Sequence, residues 1–269
     1  MIKQYPSIST LRADALARNV LDGGQRWANY SSNNWYGETS AETQRRSEIG
    51  DLRLVPEAEK LMDKLESQIE VPRKVWERSV AGAFPCVPDY CNGLPTSMRR
   101  QVEIGDEHQP ITVIYSINSS GSISAGTLRD RGVAVLSLVM ALLRSRPVHL
   151  KMLFIGDGPP DGETVFTADI NTSPLDLATA CYVMTSAGFY RRIGFGVATA
   201  LNQFRGGWPS KFNGTSPGSY LDYLANVLSN DPKRTLVIGP VYHRDPIVAD
   251  PIAWINAQVK RFTEKDSES

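Results

Sequence analysis

The most constraining feature of this sequence is a regular alternation of strand-like and helix-like segments in its carboxyl-terminal part. Short apolar runs rich in β-branched and aromatic residues predict strands, and longer segments with apolar residues three and four apart predict helices. The predicted strands are Ile111–Ile117, Val148–Ile155, Glu163–Ile170, Arg191–Ala198 and Thr235–Tyr242, and the predicted helices are Ser124–Ser145, Pro174–Ala187, Ser219–Leu228 and Pro251–Phe262. This alternation is typical of an α/β fold, so we expect a mostly parallel sheet with helices on both faces.

The first 110 residues carry different signals. Helices are predicted at Thr10–Leu21, after the capping box that begins at Thr39, and at Glu57–Ile69. Residues 80–110 contain four prolines and three glycines, which predicts a loop-rich connector. We therefore divide the chain into a helical, loop-rich amino-terminal region (1–110) packed on the core, an α/β core (111–263) and a flexible tail (264–269).

The composition excludes several classes of protein. A hydrophobic fraction of 41% supports a folded core, and 29 basic against 29 acidic residues give no overall field that would concentrate a polyanion. Three cysteines are an odd number and suit a reducing compartment. The amino terminus lacks the apolar core of a signal peptide, and no apolar run approaches the roughly 18 residues that span a bilayer. We expect a soluble intracellular protein without a membrane partner.

Polar residues follow the first predicted core strand, at the place where open α/β sheets bind ligands. The loop Asn118-Ser-Ser-Gly-Ser122 resembles the Asp-x-Ser-x-Ser loop of von Willebrand factor A-type domains, which supplies oxygen ligands to Mg²⁺. Ser120 and Ser122 match the two serines, Ser173 matches the threonine of a second loop, and Asn118 replaces the aspartate. Because Asn118 is neutral, we expect a degenerate site that holds no metal, with weak Mg²⁺ binding at most. Asn118 is then a structural hydrogen-bonding residue.

Several longer motifs are similar, in order and spacing, to those of a family of tailed-phage proteins of unassigned function. They are Trp35-Tyr-Gly37, the segment from Pro85 to Met98, the segment from Ser122 to Gly132, and Ser173-Pro-Leu-Asp-Leu177 with Arg191-Arg192. The resemblance spans residues 25–260. It implies a von Willebrand A-like core with an incomplete metal site and a viral origin, hence the cytoplasm of a host cell, and it implies no reaction.

The sequence offers few catalytic candidates. Ser120 is not in a Gly-x-Ser-x-Gly nucleophile elbow, which needs glycines on both sides of the serine. His243, after the last predicted strand, is the best isolated candidate, although a surface-loop histidine fits it as well. Asp157 and Asp161 lie in a Gly-Asp-Gly-Pro-Pro-Asp-Gly segment that is typical of a turn. We expect no enzyme.

Aromatic and basic residues are interleaved in several segments, a pattern that suits single-stranded nucleic acid because rings stack on bases and Lys or Arg neutralise phosphates. The candidate residues are Arg26, Trp27, Tyr30, Trp35, Tyr36, Arg45 and Arg46 in one group, and Arg191, Arg192, Phe204, Arg205, Trp208, Lys211 and Phe212 in a second. A smaller third group is Lys74, Trp76 and Arg78. The alternative is that these aromatic residues pack the amino-terminal helices onto the core.

These observations predict a non-enzymatic, single-stranded-DNA-binding accessory protein of phage transcription or replication. Its partners would be single-stranded DNA and phage RNA polymerase or another phage replication or transcription protein. The neutral net charge predicts modest affinity with a shallow salt dependence. The alternative is a von Willebrand A-like protein-interaction module that docks its partner through Asn118, Ser120, Ser122 and Ser173. A third hypothesis is a hydrolase that uses His243.

Overall fold

Two β-sheets organise the part of the chain that the computed structural model describes, which is residues 2–18, 33–64, 73–104, 109–158, 162–202, 217–242 and 244–266. The larger sheet consists of β1 (Ile2–Tyr5), β5 (Ile111–Ser116), β6 (Val148–Gly158), β7 (Gly162–Ile170) and β8 (Thr235–Ile238). The smaller sheet consists of β2 (Arg73–Ser79), β3 (Phe84–Pro85) and β4 (Met98–Ile104). The α-helices are α1 (Ile8–Ala17), α2 (Asn33–Tyr36), α3 (Ser40–Ile49), α4 (Val55–Asp63), α5 (Val87–Cys91), α6 (Ala125–Leu143), α7 (Leu177–Thr185), α8 (Phe195–Asn202), α9 (Pro217–Leu228), α10 (Pro246–Ala249) and α11 (Pro251–Asp266).

The strand order of the larger sheet is β1-β7-β6-β5-β8. β5 pairs in parallel with β6 and β8, and β1 pairs in parallel with β7, but β7 is antiparallel to β6. The sheet is therefore mostly parallel, as predicted. The carboxyl ends of β5, β6 and β8 lie together at one edge of the sheet, whereas the carboxyl end of β7 lies at the opposite edge.

Helices cover both faces of the larger sheet. On one face, Val113, Tyr115 and Phe154 belong to a hydrophobic core that includes residues of α1, α6, α7 and α11. On the other face, Ile114, Leu153 and Ile155 pack with Tyr220, Leu224 and Leu228 of α9. The α/β fold class predicted from the alternating pattern is confirmed.

Residues 191–198 are helical, so the strand predicted for this segment is wrong. They continue a π-helix (Phe189–Gly194) into α8. The segment is buried on nearly every side, so its apolar residues do not show which period applies. A Cβ atom at Gly194 would lie 3.1 Å from the ring of Phe154, so a larger residue here would have to displace that ring slightly.

The smaller sheet corrects the predicted loop-rich connector. Its strand order is β2-β4-β3 and both pairings are antiparallel. The prolines stand at element boundaries rather than replacing the elements: Pro85 ends β3, Pro88 lies in the first turn of α5, and Pro95 lies in a turn. Strand β3, helix α5 and strand β4 therefore lie within the predicted connector, and turns and bends join them.

The division into 1–110, 111–263 and 264–269 stays a prediction. Two observations bear on its boundaries. β1 pairs with β7 from Ile2↔Val165 to Tyr5↔Ala168, so the first residues contribute an edge strand to the larger sheet. α11 continues to Asp266, past residue 263. Within the described ranges, no helix is long and apolar enough to cross a bilayer.

Candidate functional site

A buried arginine joins four elements at the carboxyl edge of the parallel strands. Arg131, on α6, forms an ion pair with Asp245 through Nε at 3.0 Å. It also donates to the main-chain oxygens of Ser116 at the end of β5 and Gly239 after β8, and its guanidinium lies 5.1 Å from the ring centre of Tyr115. Asp245 neutralises the charge of Arg131 inside the protein. This arginine therefore links the ends of β5 and β8 to α10 and does not present a cation to a ligand.

Asn118 is a structural residue at the same edge. Its side-chain Nδ2 donates to the carbonyl oxygen of Ile155 at 2.6 Å, and its Oδ1 accepts from the Ile155 amide at 2.8 Å. Oδ1 also accepts from the Ser116 hydroxyl at 3.2 Å. The side chain therefore bonds the end of β5 to β6, as a strand backbone would. The hydroxyls of Ser120 and Ser122, in the loop that follows, lie 3.1 Å apart.

The structure does not bring Ser173 together with these three residues, which corrects the predicted four-residue set. Because β7 is antiparallel to β6, the loop after β7 lies beside the amino end of β6. The neighbouring Thr172 donates to the main-chain oxygen of Val148, the first residue of β6. In the described part of the chain, no group of three or more His, Cys, Asp or Glu residues could hold a metal ion. That the loop after β5 binds Mg²⁺ weakly at most stays a prediction.

Trp35 and Arg191, both predicted to bind nucleic acid, pack against each other, Arg191 buried and Trp35 partly buried against the core. Arg191 is fully buried, and its guanidinium lies 4.3 Å from the ring centre of Trp35. It donates to the main-chain oxygens of Trp35 and Ile123, and no carboxylate contacts it among the described residues. Burial lowers the pKa of Arg191 to about 10. The Trp35 indole N–H donates to the Gly121 oxygen at 2.9 Å, so this pair holds the 33–38 segment over the loop after β5.

Tyr36 and Arg192 repeat this arrangement. The guanidinium of Arg192 lies 3.8 Å from the ring centre of Tyr36, and Tyr36 is buried. Arg192 also donates to the main-chain oxygen of Glu38 at 3.4 Å. Trp35, Tyr36, Arg191 and Arg192 therefore serve to pack the amino-terminal region onto the core, which is the alternative that the sequence left open.

A buried acidic residue that the sequence did not single out lies next to them. The Glu38 carboxylate accepts from the hydroxyls of Tyr182 at 2.8 Å and Ser186 at 2.7 Å, and from Thr43. Arg46 pairs with its other oxygen at 2.7 Å. Burial raises the pKa of Tyr182, and the neighbouring Glu38 carboxylate raises it further. Arg46, a predicted nucleic-acid-binding residue, thus forms an ion pair inside the protein. No local signal marks Glu38, because Tyr182 and Ser186 are more than 140 positions away.

Most of the other predicted nucleic-acid-binding and catalytic residues lie outside the part of the chain that the structure describes. Arg45 is exposed on α3. Nine candidates lie outside the described residues: Arg26, Trp27, Tyr30, Phe204, Arg205, Trp208, Lys211, Phe212 and the catalytic candidate His243. Asp161 lies outside them as well.

The smaller sheet places arginines and an aromatic ring in one row. β4 is its central strand, and Arg99 on β4 is paired in register with Arg78 on β2 and with Phe84 on β3. Directly paired residues share a face of a sheet. The backbone of β2 places Lys74 and Trp76 at alternate positions from Arg78. This sheet therefore contains the third aromatic–basic group found in the sequence.

The short helix α5 lies along the same face. Asp89 of α5 is buried and forms an ion pair with Arg78 at 3.2 Å, and the Arg99 guanidinium contacts the Cys86 sulfur at 3.8 Å. Tyr90 is 74% exposed and Phe84 is 58% exposed. We call Arg78, Phe84, Tyr90 and Arg99 the arginine–aromatic surface.

Comparison with known proteins identifies the family but no activity. No curated protein and no solved structure matches the chain. A family described as a domain of unknown function, DUF7192, matches residues 1–238. The match runs through every strand described above and ends at Ile238, the last residue of β8. The chain therefore belongs to the DUF7192 family.

Proposed function

We propose that this protein is a non-enzymatic accessory protein that binds single-stranded nucleic acid, and that the arginine–aromatic surface contacts the strand. The observation that carries the proposal is the register of the smaller sheet, which sets Arg78 directly opposite Arg99 and places Phe84 on the other side of Arg99. Two cations and an exposed ring in one row provide phosphate contacts next to a stacking platform.

The charges of this sheet are not balanced internally. Like charges directly opposed across two strands destabilise a sheet. Asp89 compensates Arg78, but among the described residues no carboxylate contacts Arg99. Residues 73–104 carry five basic and three acidic side chains, a net charge of +2 in a chain that is neutral overall. A polyanion bound here would relieve the repulsion between the two guanidiniums.

The exposed rings give the surface its preference for single strands. A base stacks on an aromatic side chain only when it is not stacked inside a duplex, and each such contact contributes about 1–3 kcal/mol. Tyr90 and Phe84 expose most of their surface, whereas Trp35 and Tyr36 are packed in the protein. Tyr90→Ala should therefore weaken single-strand binding by roughly fivefold or more.

Fluorescence anisotropy with a labelled single-stranded oligonucleotide, repeated over a series of salt concentrations, tests the proposal. Each phosphate contact adds about 0.7 to the slope of log K against log salt for a single strand. The double variant Arg78→Gln/Arg99→Gln should reduce the slope by about 1.4. The matched control is Arg261→Gln, which removes an exposed arginine from α11. An unchanged slope in the double variant, or equal affinity for single-stranded and duplex DNA, would rule out this site.

The biological setting is part of the same proposal. Its support is the resemblance to tailed-phage proteins, which suggests action in the host cytoplasm beside phage RNA polymerase or another phage replication protein. Copurification of the polymerase with the tagged protein from infected cells is expected. If an unrelated tagged protein recovers as much polymerase, the result would contradict this biological setting.

A second candidate function is protein interaction, and one observation favours it. Val80, Val87 and Leu94 are exposed near the arginine–aromatic surface, and aliphatic side chains do not stack on bases. The predicted docking face of Asn118, Ser120, Ser122 and Ser173 does not form one surface, so a partner would bind elsewhere. Val87→Ser should leave single-strand affinity unchanged if this surface binds nucleic acid, and should abolish partner binding if it binds a protein.

A further inference from the structure

A groove runs along the outer side of β8, the lateral edge strand of the larger sheet. β8 is the last strand in the sheet order, and β5 is its neighbour on the inner side. A cavity of about 270 Å³ is lined by residues 236–240 and by residues of α9, α10 and α11, and none of the described lining residues belongs to β5. The cavity therefore opens on the outer side of β8, between the helices that cover the two faces of the sheet.

The backbone of β8 is available on that side. Its register with β5 runs from Thr112↔Thr235 to Tyr115↔Ile238, and no second strand pairs with β8 in the part of the chain that the structure describes. An edge strand of this kind presents a row of N–H and C=O groups that a further strand can bind. β8 has four residues, and Leu236, Val237 and Ile238 are all apolar.

The walls of the groove define the chemistry of an occupant. Leu221, Val237 and Trp254 give it an apolar lining. Arg131 and Asp245 also line it, but they form an ion pair with each other. The cation left over is Arg261, which is exposed and which, among the described residues, contacts the Phe262 ring and no carboxylate. The groove therefore complements an apolar side chain followed by an acidic one.

We infer that an extended peptide segment of a partner protein binds in this groove as a sixth strand beside β8. One of its apolar side chains enters the cavity, and an acidic side chain pairs with Arg261. The cavity is smaller than the roughly 300–1,000 Å³ of a typical small-molecule site, and four residues of strand span roughly 13 Å, which suits a short peptide. The inference goes beyond nucleic-acid binding, because the two surfaces share no residue.

A displayed library of random heptapeptides, selected on the wild-type protein, identifies the probe. We expect selected peptides that alternate apolar residues and contain Asp or Glu. N-methylation at alternate residues should weaken them at least tenfold, because it removes the donors that pair with β8. Arg261→Gln should weaken them about fivefold, the cost of losing one ion pair. Leu221→Trp fills the cavity and should abolish binding, whereas the matched change Tyr223→Trp, exposed on the same helix, should not.

Three results would overturn the inference. The first is a selection that enriches no peptide above the level found with the Leu221→Trp variant. The second is selected peptides that bind equally well after N-methylation. The third is a concentration-dependent dimer in sedimentation that Leu221→Trp dissociates, which would assign the groove to a second copy of the chain. Circular dichroism of each variant separates loss of binding from loss of folding.

Discussion

The buried ion pair between Arg131 and Asp245 gives the sharpest test of how the carboxyl edge is held together. The two side chains are 2% and 5% exposed. Asp245 has two roles, because Oδ2 pairs with Arg131 while Oδ1 accepts from the Ile247 amide at 2.8 Å and caps α10. Asp245→Asn keeps an oxygen for the cap, but it removes the charge and replaces the oxygen that accepts from Arg131 with an amide group that can only donate. It leaves a guanidinium buried without an anion.

The expected cost follows from that burial. Removing one partner of a buried ion pair destabilises a protein by about 3–5 kcal/mol, because the other charge stays desolvated. Asp245→Ala also removes the cap, which adds about 1 kcal/mol. Arg131→Met alone is costly as well, because the oxygens of Ser116 and Gly239 lose their donor. The double variant Arg131→Met/Asp245→Asn should be more stable than the sum of the single changes predicts, since no charge remains buried.

Urea unfolding of the wild type and the four variants measures these free energies, with an unchanged dependence on denaturant showing that the comparison is valid. A loss below about 1 kcal/mol in Asp245→Asn would refute the argument, because it would mean that water reaches the guanidinium. Strict additivity of the two single changes would refute it equally, because it would show that the two charges do not interact.

Three further predictions concern stability and reactivity. Gly188→Ala should destabilise by about 1–3 kcal/mol, because its Cβ would lie 2.1 Å from a carboxylate oxygen of Glu38, whereas Gly218→Ala, with open space around it, should not destabilise the protein in thermal unfolding. Burial would raise the pKa of Asp14, but hydrogen bonds from its neighbours outweigh burial and hold that pKa well below its usual range. The carboxylate therefore stabilises the protein above about pH 4 and loses this contribution as the pH falls further, so the difference in stability between wild type and Asp14→Asn should shrink on acidification. An aromatic disulfide reagent should label one thiol of the native protein, Cys91, and three after unfolding; rapid labelling of a second native thiol would contradict the burial of the other two.

Local signals in the sequence predicted the elements that depend on neighbouring residues. The capping box at Thr39 forms as expected, with its side chain bound to the Glu42 amide and the Glu42 carboxylate bound to the Thr39 amide. Ser124 caps α6 by accepting from the Thr127 amide, without a reciprocal bond. Strands β5 to β8 and helices α6, α7, α9 and α11 were also predicted, because runs of β-branched and aromatic residues and apolar residues three and four apart are local signals.

Contacts between distant residues were not predictable in this way. Arg191 packs on Trp35, which is 156 positions earlier, and nothing near either residue distinguishes a buried pair from an exposed one. The grouping of Ser173 with Asn118 did not take the direction of β7 into account. A short turn cannot connect parallel strands, so the few residues between β6 and β7 require an antiparallel pair. That direction carries Ser173 away from Asn118.

Photocrosslinking tests the central claim, that the arginine–aromatic surface binds single-stranded nucleic acid, most directly. A single-stranded oligonucleotide that contains 5-iodouracil is irradiated with the full chain, and the crosslinked residue is identified by mass spectrometry. We predict crosslinks to Tyr90 or Phe84 that are lost in Arg78→Gln/Arg99→Gln and competed by unlabelled single strands but not by duplex. Crosslinks found only outside residues 73–104, or none under conditions in which binding is measured, would contradict the claim.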